Sequence, residues 1–188
     1  MDASGRRLIK WAAIAGERPA RVMEREDIES DLLRRLYAYW QGKRAGRLLP
    51  ARAALDPADF AYALANVALV DVLRDPPRFY FRVVGTEIAR RDGTDLTGKY
   101  VDDHPLPEYR ALLRQVYSDV VAAGRPTVFR RDRLMDDKPR QYEVLYLPLA
   151  ADGASIDMLL VGIDFRPSRP AHQPARVAVA SSPVERVK

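Results

Sequence analysis

The chain contains no cysteine, which excludes disulfides, thiolate metal sites, cysteine nucleophiles and any flavin–cysteine adduct. Histidine is scarce as well, with two among 188 residues. His172 lies in a proline-rich C-terminal stretch, so His104 is the one histidine placed to serve a folded body. Long apolar runs are missing: no window approaches the ~18–20 residues of a membrane-spanning helix. The apolar stretch Trp11 to Ala15 follows basic residues as in an export signal, but it is shorter than the ~7–15 residues such a signal uses. Gly16 and Glu17 end it. A cytoplasmic protein is the expectation.

The patterns that carry catalysis are missing too. Residues 93–98 contain Gly93 and Gly98 but match neither GxGxxG nor GxxxxGK. No serine sits in a nucleophile elbow, and the acidic pairs Asp102-Asp103 and Asp136-Asp137 fall in turn-like sequence, where solvated loop chemistry accounts for them. Arg21 and Arg25 have the RxxxR spacing of some cyclic-dinucleotide receptors, without the downstream motif those receptors also need. The expectation is therefore no catalytic residue, no metal site and no enzymatic activity.

The net charge of +5 is spread unevenly. Residues 1–25 carry +3 and residues 166–188 carry +4, leaving −2 for the segment between. A nucleic-acid-binding domain concentrates positive charge on its folded body, where phosphates can be held in place. Here the ends hold it, so solubilising tails and no nucleic-acid partner are expected. The division that follows is a basic N-terminal extension over 1–25, one domain over 26–165 and a proline-rich tail over 166–188 too poor in large apolar residues to offset its ordering entropy.

What remains has clear periodicity. In 27–41 the apolar residues Ile28, Leu32, Leu36, Tyr39 and Trp40 predict an amphipathic helix, with Ser30, Asp31, Arg34 and Arg35 on its opposite face. Asp56 and Pro57 have the N-cap and first-turn chemistry of a second helix reaching about residue 65. Period-two runs at 66–73 and 78–84, joined by Arg74-Asp75-Pro76-Pro77, read as an antiparallel hairpin. Short helical turns follow, then a long helix over 107–123 stopped by Gly124. Three further strands, 127–134, 141–149 and 155–165, form a meander. The expected fold is α+β: a five-stranded antiparallel sheet with helices on one face. The last strand adds a requirement. Ile156, Met158 and Leu160 face one way while Leu159, Val161, Ile163 and Phe165 face the other, so both of its faces need cover. The 27–41 helix and a second copy of the chain are the candidates.

The run Phe79-Tyr80-Phe81-Arg82-Val83-Val84-Gly85-Thr86, the later Asp95-Leu96-Thr97-Gly98-Lys99, the Leu-Tyr-x-Tyr-Trp sequence at 36–40 and Tyr-Leu-Pro-Leu at 146–149 resemble, in order and spacing, the PAS-like sensory domains of bacteria. The resemblance covers about residues 28–165. It implies sheet order 2-1-5-4-3, a pocket between sheet and helices, and homodimerisation through the N-terminal helix, for which Leu32, Leu36, Tyr39 and Trp40 are the candidate residues. It also implies a sensory or regulatory role, with output through a partner signalling protein. PAS domains bind haem, flavin, small organic molecules, or nothing at all.

Haem needs an axial ligand, and His104 stands ahead of the long helix rather than inside it. A flavin would look for an Asn/Gln cluster on the last strands, which is missing. Neither cofactor is expected. A small organic ligand is the favoured occupant, with Phe81, Tyr109, Leu113, Tyr117, Phe129, Tyr142 and Tyr146 as lining and Arg82 as a possible carboxylate clamp. The alternative is that these aromatics are ordinary core, Arg82 pairs with Glu87 or Glu143, and the domain is a ligand-free interaction scaffold.

Overall fold

The computed structural model describes residues 27–135 and 138–165, and no side chain over 131–141; the expectations for 1–25 and 166–188 lie outside them. Helix α1 spans Asp31–Gly42. It begins later than the apolar period suggests because Ser30 stops it: its backbone is extended and its hydroxyl accepts from Leu33 N–H. The buried face is Leu33, Leu36, Tyr37 and Trp40, shifted by one position from the predicted stripe, so that Leu32 and Tyr39 are only half-buried.

The predicted second helix, Pro57–Asn66, winds as 3-10 turns split by non-helical backbone at Phe60 (φ −123°, ψ 32°). Its Asp56 cap forms as expected, donated to by Ala58 N–H. The segment then runs straight into strand β1, Val67–Arg74, which pairs with β2, Pro77–Val84. Helix α2, Thr86–Asp92, follows. A two-residue strand β3, Lys99–Tyr100, returns to the free edge of β2. Helix α3 occupies Pro107–Ala123, as predicted, and ends on Gly124 in the left-handed region. Strands β4 (Thr127–Met135), β5 (Lys138–Leu149) and β6 (Met158–Asp164) complete the sheet.

The sheet has six strands in the order β3-β2-β1-β6-β5-β4, with every described pairing antiparallel. This corrects the expected five. The five predicted strands take the expected order, and the sixth escapes prediction because two residues carry no periodicity.

Both faces of the sheet are covered, by different helices. On β5, Tyr142, Val144 and Tyr146 face α3, whereas Glu143, Leu145 and Leu147 face α1. The second face of the last strand is thus covered by the chain's own first helix. The closest point is Gly162 on β6, where a Cβ would stand 2.7 Å from Leu36 Cδ2 and 2.8 Å from Leu33 Cδ2. Trp40 lies beside the same strands and donates from Nε1 to the carbonyl of Pro148 at 3.0 Å.

Gly85, between β2 and α2, answers a different constraint. A Cβ there would come within 2.5 Å of the backbone oxygens of Leu64 and Ala65, atoms that no rotamer change can move. Its own N–H donates to Val67 O at 2.8 Å, so the approach is part of the pairing. Gly85→Ala should lower stability by about 1–3 kcal/mol through overpacking, measured as a fall in urea midpoint at unchanged m-value. An unchanged midpoint would mean that this junction yields freely.

Candidate functional site

Between the inner face of the sheet and helices α2 and α3 lies a partly open cavity of about 60 Å³. Strands contribute Ala68, Phe81, Val84, Tyr142, Val144, Tyr146, Val161 and Ile163; α3 contributes Tyr109, Leu112, Leu113, Val116 and Tyr117. Ile88 and Asp92 on α2, with Thr94 and Leu96 after it, close the remaining side. Since one water needs roughly 10–15 Å³, the space holds several waters or a molecule of a few heavy atoms. The aromatic wall is continuous: Tyr117 meets Phe79, Phe81 and Tyr146 edge-on at ring distances of 5.2, 6.3 and 6.0 Å.

The sequence-predicted lining divides here. Phe81, Tyr109, Leu113, Tyr117, Tyr142 and Tyr146 all line the cavity. Phe129 does not; it packs edge-on against the ring of Tyr146 at 5.7 Å, one layer out. Arg82 is on the other face of the sheet, its guanidinium paired with both oxygens of Asp71 at 3.1 and 2.8 Å. Arg82 therefore cannot clamp a ligand in this cavity, and its partner is neither of the carboxylates considered for it. The cause is alternation: Phe81 lines the cavity, so its neighbour Arg82 points to the opposite face. Past Phe81 the register between β1 and β2 slips by one residue between Leu69 and Val70: Leu69 faces Val83, while Val70 faces Phe81. Arg82 is skipped, and the bulge exchanges the faces beyond it. Val84 consequently lines the cavity, and Val83 is 44% exposed.

Of the four residues expected at a dimer interface, Leu36 and Trp40 are buried inside the chain, at 0% and 2% exposure. Their surface is already used against the sheet. Tyr39 accepts from Asp56 N–H at 2.8 Å and packs on Phe60, while Leu32 is half-buried beside the core.

One charged lining residue escaped sequence reading, and it meets the histidine weighed there as a haem ligand. Asp92 lines the cavity with its side chain 10% exposed, and His104 is buried against it, Nε2 standing 3.0 Å from Asp92 Oδ2. His104 Nδ1 accepts from Leu106 N–H at 3.1 Å, just where α3 begins. A signal for Asp92 was present. It follows Ile88 by four residues on α2, and residues at that spacing share a helix face.

Helix α2 is fastened from its solvent side. Hydrogen bonds from Arg90 and Arg91 hold the Glu87 carboxyl down to about 2, from the usual 4.5. A depressed carboxylate stabilises the folded state above its unfolded value, so this contribution is complete above about pH 4.5 and is lost as pH falls through about 2. An NMR titration of the Glu87 carboxyl should show a midpoint near 2; a midpoint at the usual value would mean the clamp is open in solution.

An antiparallel sheet covered by helices on both faces, with a small aromatic cavity under its longest helix, is an α+β architecture. The chain belongs to the PAS domain family, whose model matches residues 28–163. Members of this family are generally sensory or signalling modules. The chain is similar to a Rhodobacter sphaeroides LOV protein at 16% identity, over 58% of this chain and 68% of that one, with a TM-score of 0.39. It is similar to the PAS domain of Bordetella pertussis BvgS, also at 16% identity, over 61% and 88% of the two chains, with a TM-score of 0.39. A third similarity is to the N-terminal domain of a diguanylate cyclase with PAS/PAC sensor from Marinobacter aquaeolei, at 14% identity over 53% and 94%, with a TM-score of 0.35. No curated protein matches the chain. Among the described residues, no helix is long and apolar enough to cross a membrane.

Proposed function

We propose that this PAS domain is a cytoplasmic regulatory module that binds a small organic molecule in the cavity under α3 and signals through contact with a second copy or a partner protein. The observation that carries the reading is the lining itself: a wall of apolar and aromatic side chains with one carboxylate and a few hydroxyl-bearing residues, the composition of ligand pockets. Strand β5 supports a route outward, because Tyr142, Val144 and Tyr146 touch the cavity while the intervening Glu143 accepts from the backbone N–H groups of Glu29 and Ser30 at the start of α1. A ligand that displaces β5 displaces the seat of that helix.

Neither haem nor flavin belongs to this reading. Both ring nitrogens of His104 are engaged, one with Asp92 and one with Leu106 N–H, leaving none for iron. No Asn, Gln or Cys stands among the described lining residues to bond a flavin ring. The cavity is also well below the roughly 300–1,000 Å³ of cofactor-sized sites.

Native mass spectrometry of protein purified from its own cells tests the proposal. A retained molecule of low mass supports it, and a chain that is empty under conditions that preserve weak complexes counts against it. Absorbance at 400–450 nm in the same sample would overturn the exclusion of haem and flavin. A second reading, a ligand-free interaction scaffold, draws on the outer face of β1 and β2. There Leu73 and Val83 are 40% and 44% exposed, since α1 lies over β5 and β6 instead.

A further inference from the structure

Away from the cavity, three arginines converge on one acidic residue. Arg78 on β2 donates from Nε to Asp102 Oδ2 at 3.3 Å, and Arg114 on α3 donates from Nη1 to Asp102 Oδ1 at 3.1 Å. Arg110, one turn earlier on the same side of α3, donates from Nη1 to the Asp102 carbonyl at 3.3 Å. Asp102 sits in the short turn Val101–Asp103 between β3 and α3. Three positive charges share one negative, which leaves the group at +2. The neighbouring acids are directed elsewhere. Asp103 accepts from Tyr100 N–H at 2.8 Å, and Glu108 is two positions from Arg110, a spacing at which helix side chains do not face each other. A guanidinium carries five N–H donors, and among the described residues each of the three gives one of them to Asp102. The side chains of Arg78 and Arg114 are 37% and 56% exposed, so their other donors are open to an acceptor from outside. The ring of Tyr100 holds Arg78 in place, its centroid 3.7 Å from the guanidinium carbon.

We infer that Arg78, Arg110 and Arg114 form a receptor for a phosphorylated side chain on a partner protein. This deepens the partner-protein part of the reading above and rests on it, not on a ligand in the cavity. Asp102 shows that the cluster takes an oxyanion, and the charge left over is that of a phosphate monoester, about −1.5 to −2 at pH 7 with three strong acceptor oxygens. Planar guanidinium forks suit those oxygens, whereas a carboxylate brings one charge and two oxygens. Residues 26–165 carry −2 overall, so the positive potential is local to the cluster and suits one anionic group rather than an extended anionic surface. Leu73, 40% exposed, stands opposite Arg78 across the β1–β2 hairpin and offers a bound peptide an apolar contact beside its phosphoryl group.

The test uses the full, isotope-labelled chain and capped peptides of otherwise neutral sequence that carry phosphoserine, glutamate or serine at one position, titrated by NMR. The phosphoserine peptide should bind roughly tenfold more tightly than the glutamate peptide, the worth of a further charge-assisted hydrogen bond, and should shift the Nε resonances of the three arginines. The serine peptide should bind most weakly. Replacing both Arg110→Gln and Arg114→Gln should bring the phosphoserine-to-glutamate ratio to near one. Exposed ion pairs add little to stability, so the urea midpoint of that variant should stay close to the parent's. Arg78→Lys keeps the charge but loses the fork, and should lower the ratio. Arg125→Gln, at an exposed arginine outside the cluster, should leave it unchanged. If the double variant fails to fold, the ratio on the native chain and in Arg78→Lys still decides. An equal loss in Arg125→Gln, or shifts confined to residues 1–25 and 166–188, would show diffuse attraction to cations and overturn the site. A native ratio near one overturns it too, while leaving a partner of other chemistry and the cavity reading standing. Binding to vesicles of phosphatidic acid in phosphatidylcholine, lost in the double variant and without response to the phosphoserine peptide, would overturn the protein partner in favour of a lipid headgroup.

Discussion

Trp40→Ala is expected to cost about 3–5 kcal/mol of stability, in the range for truncating a buried large aromatic side chain. The indole is 2% exposed, stacks with Tyr37 at a ring distance of 6.2 Å and donates to the Pro148 carbonyl. Removing it opens a cavity between α1 and β5 and leaves that carbonyl without its donor. Urea unfolding gives the loss directly. Sedimentation or light scattering, at concentrations where the variant remains folded, separates it from the interface reading of the same residue. A variant as stable as the parent but with a changed oligomeric state would show that the indole serves a partner and not this core.

Glu143→Ala should lower stability by about 3 kcal/mol, the scale of losing two hydrogen bonds to a charged acceptor. Glu143 is 3% exposed and accepts from Glu29 N–H at 3.0 Å and Ser30 N–H at 2.8 Å. It stands in a cross-strand row, with Arg130 opposite on β4 and Asp164 opposite on β6. Arg130 reaches Glu143 at 3.6 Å and Glu29 at 3.0 Å, while Ser30 donates its hydroxyl to Asp164 at 2.6 Å. Two adjacent buried carboxylates would repel each other in an apolar setting. Here they share the donors of one helix start, which fixes α1 to the sheet. Amide exchange should therefore accelerate along α1 in the variant more than along α3, which touches the opposite face. Equal acceleration in both helices would mean that the row stabilises the fold in general, with no particular hold on α1.

Much of this architecture was legible in the residues. Helix α3 could be bounded at both ends because Pro107 and Gly124 are a start and a stop with a single physical meaning each. The hairpin of β1 and β2 and the meander of β4 to β6 followed from period-two runs separated by turn chemistry. The shift of α1's buried face was not legible, because an apolar residue on either side of the stripe serves the period almost equally well. Leu33 prevails over Leu32 because Ser30 fixes where the helix begins. The cavity was half legible. Its aromatics follow from strand alternation, but Asp92 lies in a helix of seven residues, where the four-residue spacing from Ile88 is the single pointer to its face.

By itself, the sequence determined that this chain builds an α+β sensor-type domain, that its last strand is covered on both sides, and that cysteine chemistry plays no part in it. Those properties reside in composition and local periodicity, which short-range sterics and hydrophobicity translate directly into elements. Only the tertiary structure decided that α1 covers the outer face, that a one-residue bulge after Arg82 turns Val84 into the cavity, and that Asp92 and His104 meet where α3 begins. Each of these depends on register or on contact between distant segments, and a slip of a single residue would reverse the facing of a strand while leaving its local pattern intact.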